Sequence, residues 1–256
     1  MPTAIPFTRH VAAVEVASSD LASRALSSGL EAPVVTCPRW RVADLVVHQG
    51  IVHRWAASNL RGDNDVVPTK SQILKEVPIG DLLAWFEDGA EKLVVTMREV
   101  DPDVDAMVFL KDAPSPRDFW ARRQAHETTI HSVDALAGLL GRMPTSAEAG
   151  IDRHIALDGV DELVCGFITR GTTKLATEEP YIIAIEPTDS DRAWTLDVGT
   201  ERIVTEPTRG NRADVTFSGT ATQLYLGLWN RGDEIGASGS RGALEDWRRL
   251  QRIRWS

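Results

Sequence analysis

Cysteine is scarce in this chain of 256 residues, which contains only Cys37 and Cys165. The two are far apart in the sequence, and neither belongs to a CxxC pattern, so this usage predicts a reduced compartment, the cytoplasm. Cys37 precedes a proline at a predicted helix start, and Cys165 lies in an apolar helical segment. We therefore interpret both as core residues rather than as catalytic nucleophiles.

The chain also lacks an excess of basic residues and any long apolar run. Lys and Arg number 28 against 37 Asp and Glu, which gives a net charge of -9 and argues against a nucleic acid partner, because such proteins carry a basic face. No stretch is apolar for long enough to span a bilayer. Residues 1–6 lack the basic start and apolar run of an export signal. We therefore expect neither nucleic acid nor membrane as a partner.

The first half carries apolar residues at helical spacing. Residues 60–78 lack this pattern and contain Gly62, Pro68 and Pro78, which predicts a long loop. Four helices with one or two long connections indicate a four-helix bundle. The predicted helices cover residues 8–29, 40–59, 79–99 and 117–140.

The second half changes character after a turn-rich stretch, residues 141–150, which we interpret as a linker. Short β-like runs separated by turn residues then predict an antiparallel sheet, and helices flank them, so this half is of the α+β class. The expected domains are 1–143 and 151–256. The predicted strands cover 181–185, 193–198, 202–205 and 213–217, and the predicted helices cover 153–169, 219–229 and 241–250.

Four ionisable residues share one narrow stripe of the predicted fourth helix. With Glu127 at zero on a helical wheel of 100° per residue, Arg123, His131 and Asp134 all fall within about 40° of it. A carboxylate and an imidazole one turn apart can bind one metal ion. The alternative is a solvated salt-bridge face, because charge pairs at this spacing are common on exposed helices.

A third candidate ligand, His48, lies in the middle of the apolar stripe of the second predicted helix. A buried neutral histidine satisfied by a backbone carbonyl is the alternative. Facing helices build metal sites in bundle cores, and a catalytic zinc takes three protein ligands and leaves a fourth position open. The set His48, Glu127 and His131 suits zinc, although nickel, iron or manganese could also occupy it.

Two further histidines do not fit this set. The sequence from His126 to His131 resembles the HExxH motif of zinc proteases but has one extra residue. Residues five apart lie roughly 140° apart around a helix, so His126 and His131 are poorly placed to share one ion. His53 is likewise five residues after His48, so these two histidines are also poorly placed to share one ion. We interpret His126 as a packing residue or as a neighbour of the ligands.

These segments resemble a known family. The stretch from Cys37 to His48 with Val52-His-Arg-Trp55, and the stretch from Arg122 to Asp134, are similar to the two N-terminal signatures of the mycothiol-dependent maleylpyruvate isomerase family. The second half is similar as well, on Asp161-Glu-Leu163 and on the segment from Ala213 to Arg231. The resemblance covers nearly the whole chain.

The resemblance implies a DinB-like four-helix bundle followed by a small α+β domain similar to sterol carrier proteins. It implies that the zinc ligands are His48, Glu127 and His131. It also implies that Arg231 contributes to activity by reaching a cleft between the domains and holding a carboxylate of the substrate or of the thiol cofactor. The alternative for Arg231 is a cation at the negative end of a helix dipole.

The chemistry expected from the resemblance uses mycothiol as an external nucleophile, since coordination to a cation turns a thiol into a thiolate. Addition to a cis double bond, rotation and elimination would give isomerisation, while release of the adduct would give thiol transfer. Arg123 and Asp134 are candidates to support the ligands, Asp134 by orienting an imidazole. The alternatives are a small-molecule-binding module with a structural metal and a metal-dependent hydrolase. The sequence leaves the substrate and the oligomeric state open.

Overall fold

The structure is a computed structural model that describes residues 4–63, 67–170, 174–175, 178–239 and 242–251. Two compact units are present. The first comprises the described residues of Pro2–Phe109 and Ala113–Pro144, and the second comprises those of Leu110–Asp112 and Thr145–Ser256. In the predicted linker, residues 141–150, the described chain contains a short helix, Ser146–Ala149, capped by Thr145.

The first unit is built from four long helices, and this confirms the predicted bundle. The helices of this unit are α1 (Phe7–Ser28), α2 (Val42–Arg61), α3 (Lys70–Glu76), α4 (Leu82–Glu99) and α5 (Pro116–Leu140). The four long helices form a ring in which each packs against two neighbours, in the order α1, α5, α2, α4 and back to α1. Their apolar faces supply the core.

Helix α5 is buried along most of its length. Ser115 caps its start by accepting a hydrogen bond from the backbone N–H of Asp118, and Pro116 opens its first turn. Gly141 ends it in a left-handed conformation with φ 66°. Every residue from Phe119 to Gly138 is buried, so polar and apolar side chains alike lie inside the protein.

The predicted long loop, residues 60–78, was wrong in one respect, because it contains the short helix α3. Thr69 and Gln72 form a capping box at its start: the Thr69 backbone N–H donates to the Gln72 side chain, and the Gln72 backbone N–H donates to the Thr69 hydroxyl. Ile73 is the buried residue that attaches α3 to the core. Only one apolar side chain is buried, so no apolar periodicity marked this helix in the sequence.

The second unit carries a five-stranded sheet. Its strands are β1 (Tyr181–Pro187), β2 (Trp194–Val198), β3 (Ile203–Glu206), β4 (Val215–Gly219) and β5 (Gly236–Gly239), and they lie in the order β3-β2-β1-β4-β5. The predicted antiparallel sheet was wrong at one pairing, because β1 and β4 are parallel, whereas the other three pairs are antiparallel. The alternation of apolar and polar residues reports which face of a strand is buried, not the direction of its neighbour.

Strand β5 was not predicted, because its sequence, Gly-Ala-Ser-Gly, contains no β-branched or aromatic residue. The predicted helix over 153–169 divides into an α-helix and a following π-helical segment, Glu162–Phe167. The helices of this unit are α6 (Ser146–Ala149), α7 (Arg153–Asp161), α8 (Ala221–Leu228) and α9 (Ala243–Leu250). Helix α7 packs against α8. Within the described ranges, no helix combines the length and apolarity needed to cross a membrane.

Candidate metal centre

Three side chains from α2 and α5 converge in the first unit: His48, Glu127 and His131. One ligand atom from each lies within 4.8 Å of the other two. The Oε1 atom of Glu127 is 3.6 Å from Nε2 of His48 and 3.3 Å from Nε2 of His131. The structure therefore brings together the three residues that the sequence suggested as a ligand set.

The helices explain this convergence. Glu127 and His131 are one turn apart on α5, so their side chains leave the same face. His48 comes from α2, which packs directly against α5. The side chain of Glu127 is 4% exposed and that of His131 is 9%, whereas His48 keeps 18%. The centre is thus enclosed by protein, with its most accessible side at His48.

Two atoms at the centre lack hydrogen-bond partners. Oε1 of Glu127 and Nε2 of His48 are buried and have no such partner among the described residues. A buried polar atom without a partner costs about 1–3 kcal/mol, and two nitrogens and a carboxylate oxygen in this arrangement are a donor set typical of zinc. The residues fit a divalent metal ion, with three protein ligands and no fourth ligand within this group.

Asp134 is hydrogen-bonded to the ring nitrogen of His131 that is turned away from Glu127. The Nδ1–H of His131 donates to Oδ2 of Asp134 over 2.9 Å, which directs the other ring nitrogen, Nε2, toward Glu127. Asp134 is fully buried, and its Oδ1 accepts a hydrogen bond of 2.5 Å from the Thr36 hydroxyl. The thiol of Cys37 lies 3.6 Å from Oδ2. Cys37 therefore packs against the core, as expected, and is in addition a partly exposed neighbour of the centre.

Arg123 supports the other ligand on α5. Its guanidinium donates to Oε2 of Glu127 over 3.0 Å, and both side chains are buried. Burial would raise the pKa of Glu127, but the adjacent imidazoles of His131 and His48 and the charge of Arg123 outweigh it and hold the pKa well below its usual value. Glu127 is therefore a carboxylate at neutral pH. The alternative of a solvated salt-bridge face was wrong, because this stripe of α5 is buried.

The two imidazoles differ in protonation. Burial would lower the pKa of His131, but the carboxylates of Asp134 and Glu127 raise it to about 9. Burial lowers the pKa of His48, and the nearby Glu127 only partly opposes this effect. The two carboxylates therefore favour the protonated form of His131, whereas burial favours the neutral form of His48. A metal ion bound at Nε2 of His131 would have to displace that proton.

Trp40, which the sequence did not single out, forms one wall of the centre. Its ring lies 4.9 Å from that of His48 and 5.9 Å from that of His131, centroid to centroid. The ammonium of Lys70 is 5.4 Å from the Trp40 ring and pairs with Asp44 over 2.9 Å. Trp40 precedes α2, outside the helical period, so spacing could not have indicated that it would contact both imidazoles.

His126 and His53 are both buried, and neither belongs to the ligand set around His48. The His126 ring meets the ring of His10 edge-on at 6.1 Å. The Nε2 atom of His53 is 2.9 Å from the hydroxyl of Thr128. Complete burial lowers the pKa of His53 to about 3, so its imidazole is neutral.

Arg231 lies in the second unit, just after α8. Its backbone N–H donates to the carbonyl of Leu226, and its guanidinium donates to the carbonyl of Trp229 over 2.9 Å. These contacts place a cation at the carboxyl end of α8, the position that the helix-dipole alternative required. A role in binding a carboxylate stays a prediction.

Comparisons with known proteins agree with these observations. The family model described as "Mycothiol maleylpyruvate isomerase N-terminal domain" matches residues 11–136, and "MDMPI C-terminal domain" matches residues 154–246. No curated protein matches the chain. Together the two family matches cover most of the chain.

Two solved structures share the fold. The crystal structure of the mycothiol-dependent maleylpyruvate isomerase superposes with a TM-score of 0.63 at 16% identity and covers 93% of this chain and 96% of its own. A histidine-to-alanine mutant of that enzyme gives a TM-score of 0.62 with the same identity and coverage. At this identity the likeness concerns the fold, while the family matches concern the sequence. The chain is therefore a member of the mycothiol-dependent maleylpyruvate isomerase family.

Proposed function

We propose that this protein is a zinc-dependent enzyme that uses mycothiol as a nucleophile, with His48, Glu127 and His131 as the zinc ligands. The observation that carries the proposal is the convergence of three ligand atoms within 4.8 Å, two of which have no hydrogen-bond partner among the described residues. Zinc bound here would supply a positive charge that lowers the pKa of a coordinated thiol and keeps it as a thiolate.

The residues around the ligands have separate tasks in this proposal. Asp134 orients His131 through its Nδ1–H, and Arg123 holds the second oxygen of Glu127. Trp40 shields the two imidazoles from water on one side. The reaction that we favour is the cis–trans isomerisation of an unsaturated acid like maleylpyruvate, with thiol transfer as a variant of the same chemistry. We assign Arg231 the task of holding a carboxylate of substrate or thiol, and we expect the enzyme to work in the cytoplasm, a reducing compartment in which cysteines form few disulfides.

The direct test is metal analysis of the purified protein beside His48→Ala, followed by turnover of maleylpyruvate with and without mycothiol. We expect about one zinc per chain in the unaltered protein, a large loss of zinc in the variant, and turnover that requires the thiol. Circular dichroism of both proteins separates loss of the metal from loss of the fold.

The same assay separates the rival functions. Zinc with hydrolysis of test esters or amides but no effect of mycothiol would indicate a metal-dependent hydrolase. Zinc without any turnover would indicate a binding module with a structural ion. Absence of bound zinc, nickel, iron and manganese from the folded protein would contradict the proposed centre.

The carboxylate role of Arg231 is tested separately with Arg231→Lys and Arg231→Ala. If the guanidinium binds a carboxylate, the alanine variant has a raised KM for maleylpyruvate or for mycothiol, and its zinc content is unchanged. Lysine would restore binding only in part, because it lacks the planar fork of donors. Unaltered kinetics in both variants would favour the helix-end role.

A further inference from the structure

A fully buried polar network lies directly beside the metal centre and joins the two helices that carry its ligands. Its members are Gln49 and His53 of α2 and Thr128 of α5, and all three are completely buried. Nε2 of Gln49 is 3.0 Å from Oγ1 of Thr128, and Nε2 of His53 is 2.9 Å from both atoms. Their three polar atoms therefore form a closed triangle of hydrogen-bond distances.

The position of this network in the sequence links it to the ligands. Gln49 is the residue after His48, and Thr128 is the residue after Glu127. A hydrogen bond between Gln49 and Thr128 thus joins the two backbone segments that carry a ligand on α2 and a ligand on α5. A sliding or rotation of one helix against the other would change the distance from His48 to Glu127 and would break this bond at the same time.

Stability alone does not account for the network. Oε1 of Gln49 and Nδ1 of His53 are buried without a hydrogen-bond partner in the described part of the chain, and each such atom is destabilising. Apolar side chains of similar size would avoid that cost. Phe86, packed beside His53 at 5.5 Å between ring centroids, shows that the surroundings suit an apolar group.

From this geometry we infer that Gln49, His53 and Thr128 are positioning residues that set the separation of His48 from Glu127 and hence the affinity and geometry of the metal centre. The inference rests on the proposed function. The network touches neither metal nor substrate; it acts through the two helices.

The test compares Thr128→Val, which removes the hydroxyl at nearly constant volume, with Thr129→Val, the same change one residue along the same buried helix. Zinc affinity is measured by competition with a chelator, and the absorption spectrum of the cobalt-substituted protein reports the coordination geometry. We expect Thr128→Val to weaken zinc binding on the order of tenfold, as loss of an outer partner does, and to shift the cobalt bands. Thr129→Val and Thr128→Ser, which keeps the hydroxyl, should behave like the unaltered protein.

Other outcomes are equally decisive. If the unaltered protein binds zinc and Thr128→Val matches it in affinity and cobalt spectrum, the positioning role is wrong and the proposed function stands. If the unaltered protein binds neither zinc nor cobalt, both fail. Should Thr128→Val be unfolded, Gln49→Met serves as the second variant, and an unchanged affinity and spectrum there would likewise overturn the inference.

Discussion

Two buried carboxylates, one in each unit, show how a structural acid differs from a ligand. In the second unit, Asp161 at the end of α7 accepts hydrogen bonds through Oδ1 from the indole of Trp194 at 2.8 Å and from Arg192 at 3.1 Å. In the first unit, one oxygen of Glu127 accepts from Arg123, and the other faces two imidazoles and has no hydrogen-bond partner among the residues that the structure describes.

The difference lies in the neighbours. Asp161 is surrounded by donors that satisfy it, and it attaches helix α7 to strand β2. Glu127 faces nitrogen atoms that could instead share a cation with it. Burial and charge alone therefore do not identify a site; what identifies it is an acceptor atom whose nearest neighbours are further ligands rather than donors.

Glu127→Gln should give the largest effect and tests the comparison directly. The amide keeps the shape and can still accept from Arg123, but it lacks the negative charge that a metal ligand needs. We expect zinc affinity to fall by more than about 100-fold, beyond the ~10–100-fold that loss of an outer partner causes. The control is Asp161→Asn, the same chemical change in the other unit, which should retain zinc. Equal loss of zinc in both variants would remove the distinction between the two acids.

Asp134→Asn should have the next largest effect. The amide can present an NH2 group to Nδ1 of His131 and thereby favour the wrong tautomer, so His131 becomes a poorer ligand. We expect zinc affinity to fall about 10–100-fold, with activity recovered in part at high zinc concentration. Isothermal titration with zinc provides the measurement, and an unchanged affinity would show that Asp134 does not orient the imidazole.

Asp161→Ala should alter stability rather than chemistry. Removing the carboxylate leaves the buried N–H of Trp194 without its partner, and we expect a loss of about 1–3 kcal/mol in the free energy of unfolding. Urea unfolding of the zinc-loaded protein measures this loss. Asp161→Asn, which retains a carbonyl oxygen, should lose less. A fall in zinc affinity without a fall in stability would contradict the structural role.

The smallest predicted effect concerns a histidine of the first unit. The pKa of His53 is about 3 in the folded protein against a usual 6.5, so the unfolded chain takes up a proton more readily. Stability contributed by the neutral imidazole is present above pH 6.5 and is lost as pH falls from 6.5 toward 3. At pH 5.5 the loss is about 1.4 kcal/mol.

His53→Leu tests this prediction. Unfolding free energies of the zinc-free proteins are compared at pH 7.5 and 5.5, and the unaltered protein should lose about 1.4 kcal/mol more than the variant over this interval. Parallel losses in the two proteins would show that His53 takes up its proton equally in the folded and unfolded chain.

Much of the fold followed from local patterns. Pro114 and Pro116 near the start of α5 and Gly141 after its end predicted that helix to within one residue. The alternating strand from Trp194 to Val198 was equally clear. Helix α3 was not predicted because it buries a single apolar residue, and strand β5 was not predicted because it consists of small residues. The parallel pairing of β1 with β4 was not predicted because the alternation of apolar and polar residues along a strand does not depend on the direction of its neighbour.

The candidate site was predicted as far as helical geometry reaches. Glu127 and His131 are four residues apart on one helix, so their proximity follows from the helical repeat. Trp40, Thr36 and the contact of Gln49 with Thr128 could not be predicted, since each depends on how separate segments pack. Cys37 packs against the core as expected but is only partly buried, and its proximity to Asp134 could not be predicted for the same reason.

The sequence by itself determined the two-part architecture and the resemblance of its motifs, and it placed a carboxylate and two histidines on two predicted helices. Only the tertiary structure decided that His48 faces Glu127 and that Asp134 and Arg123 are buried supports rather than a solvated surface. The physical reason is the different distance along the chain over which the two kinds of interaction act. Hydrogen bonding along a helix fixes neighbours within a turn, whereas the distance between side chains on different helices is set by the packing of the whole core.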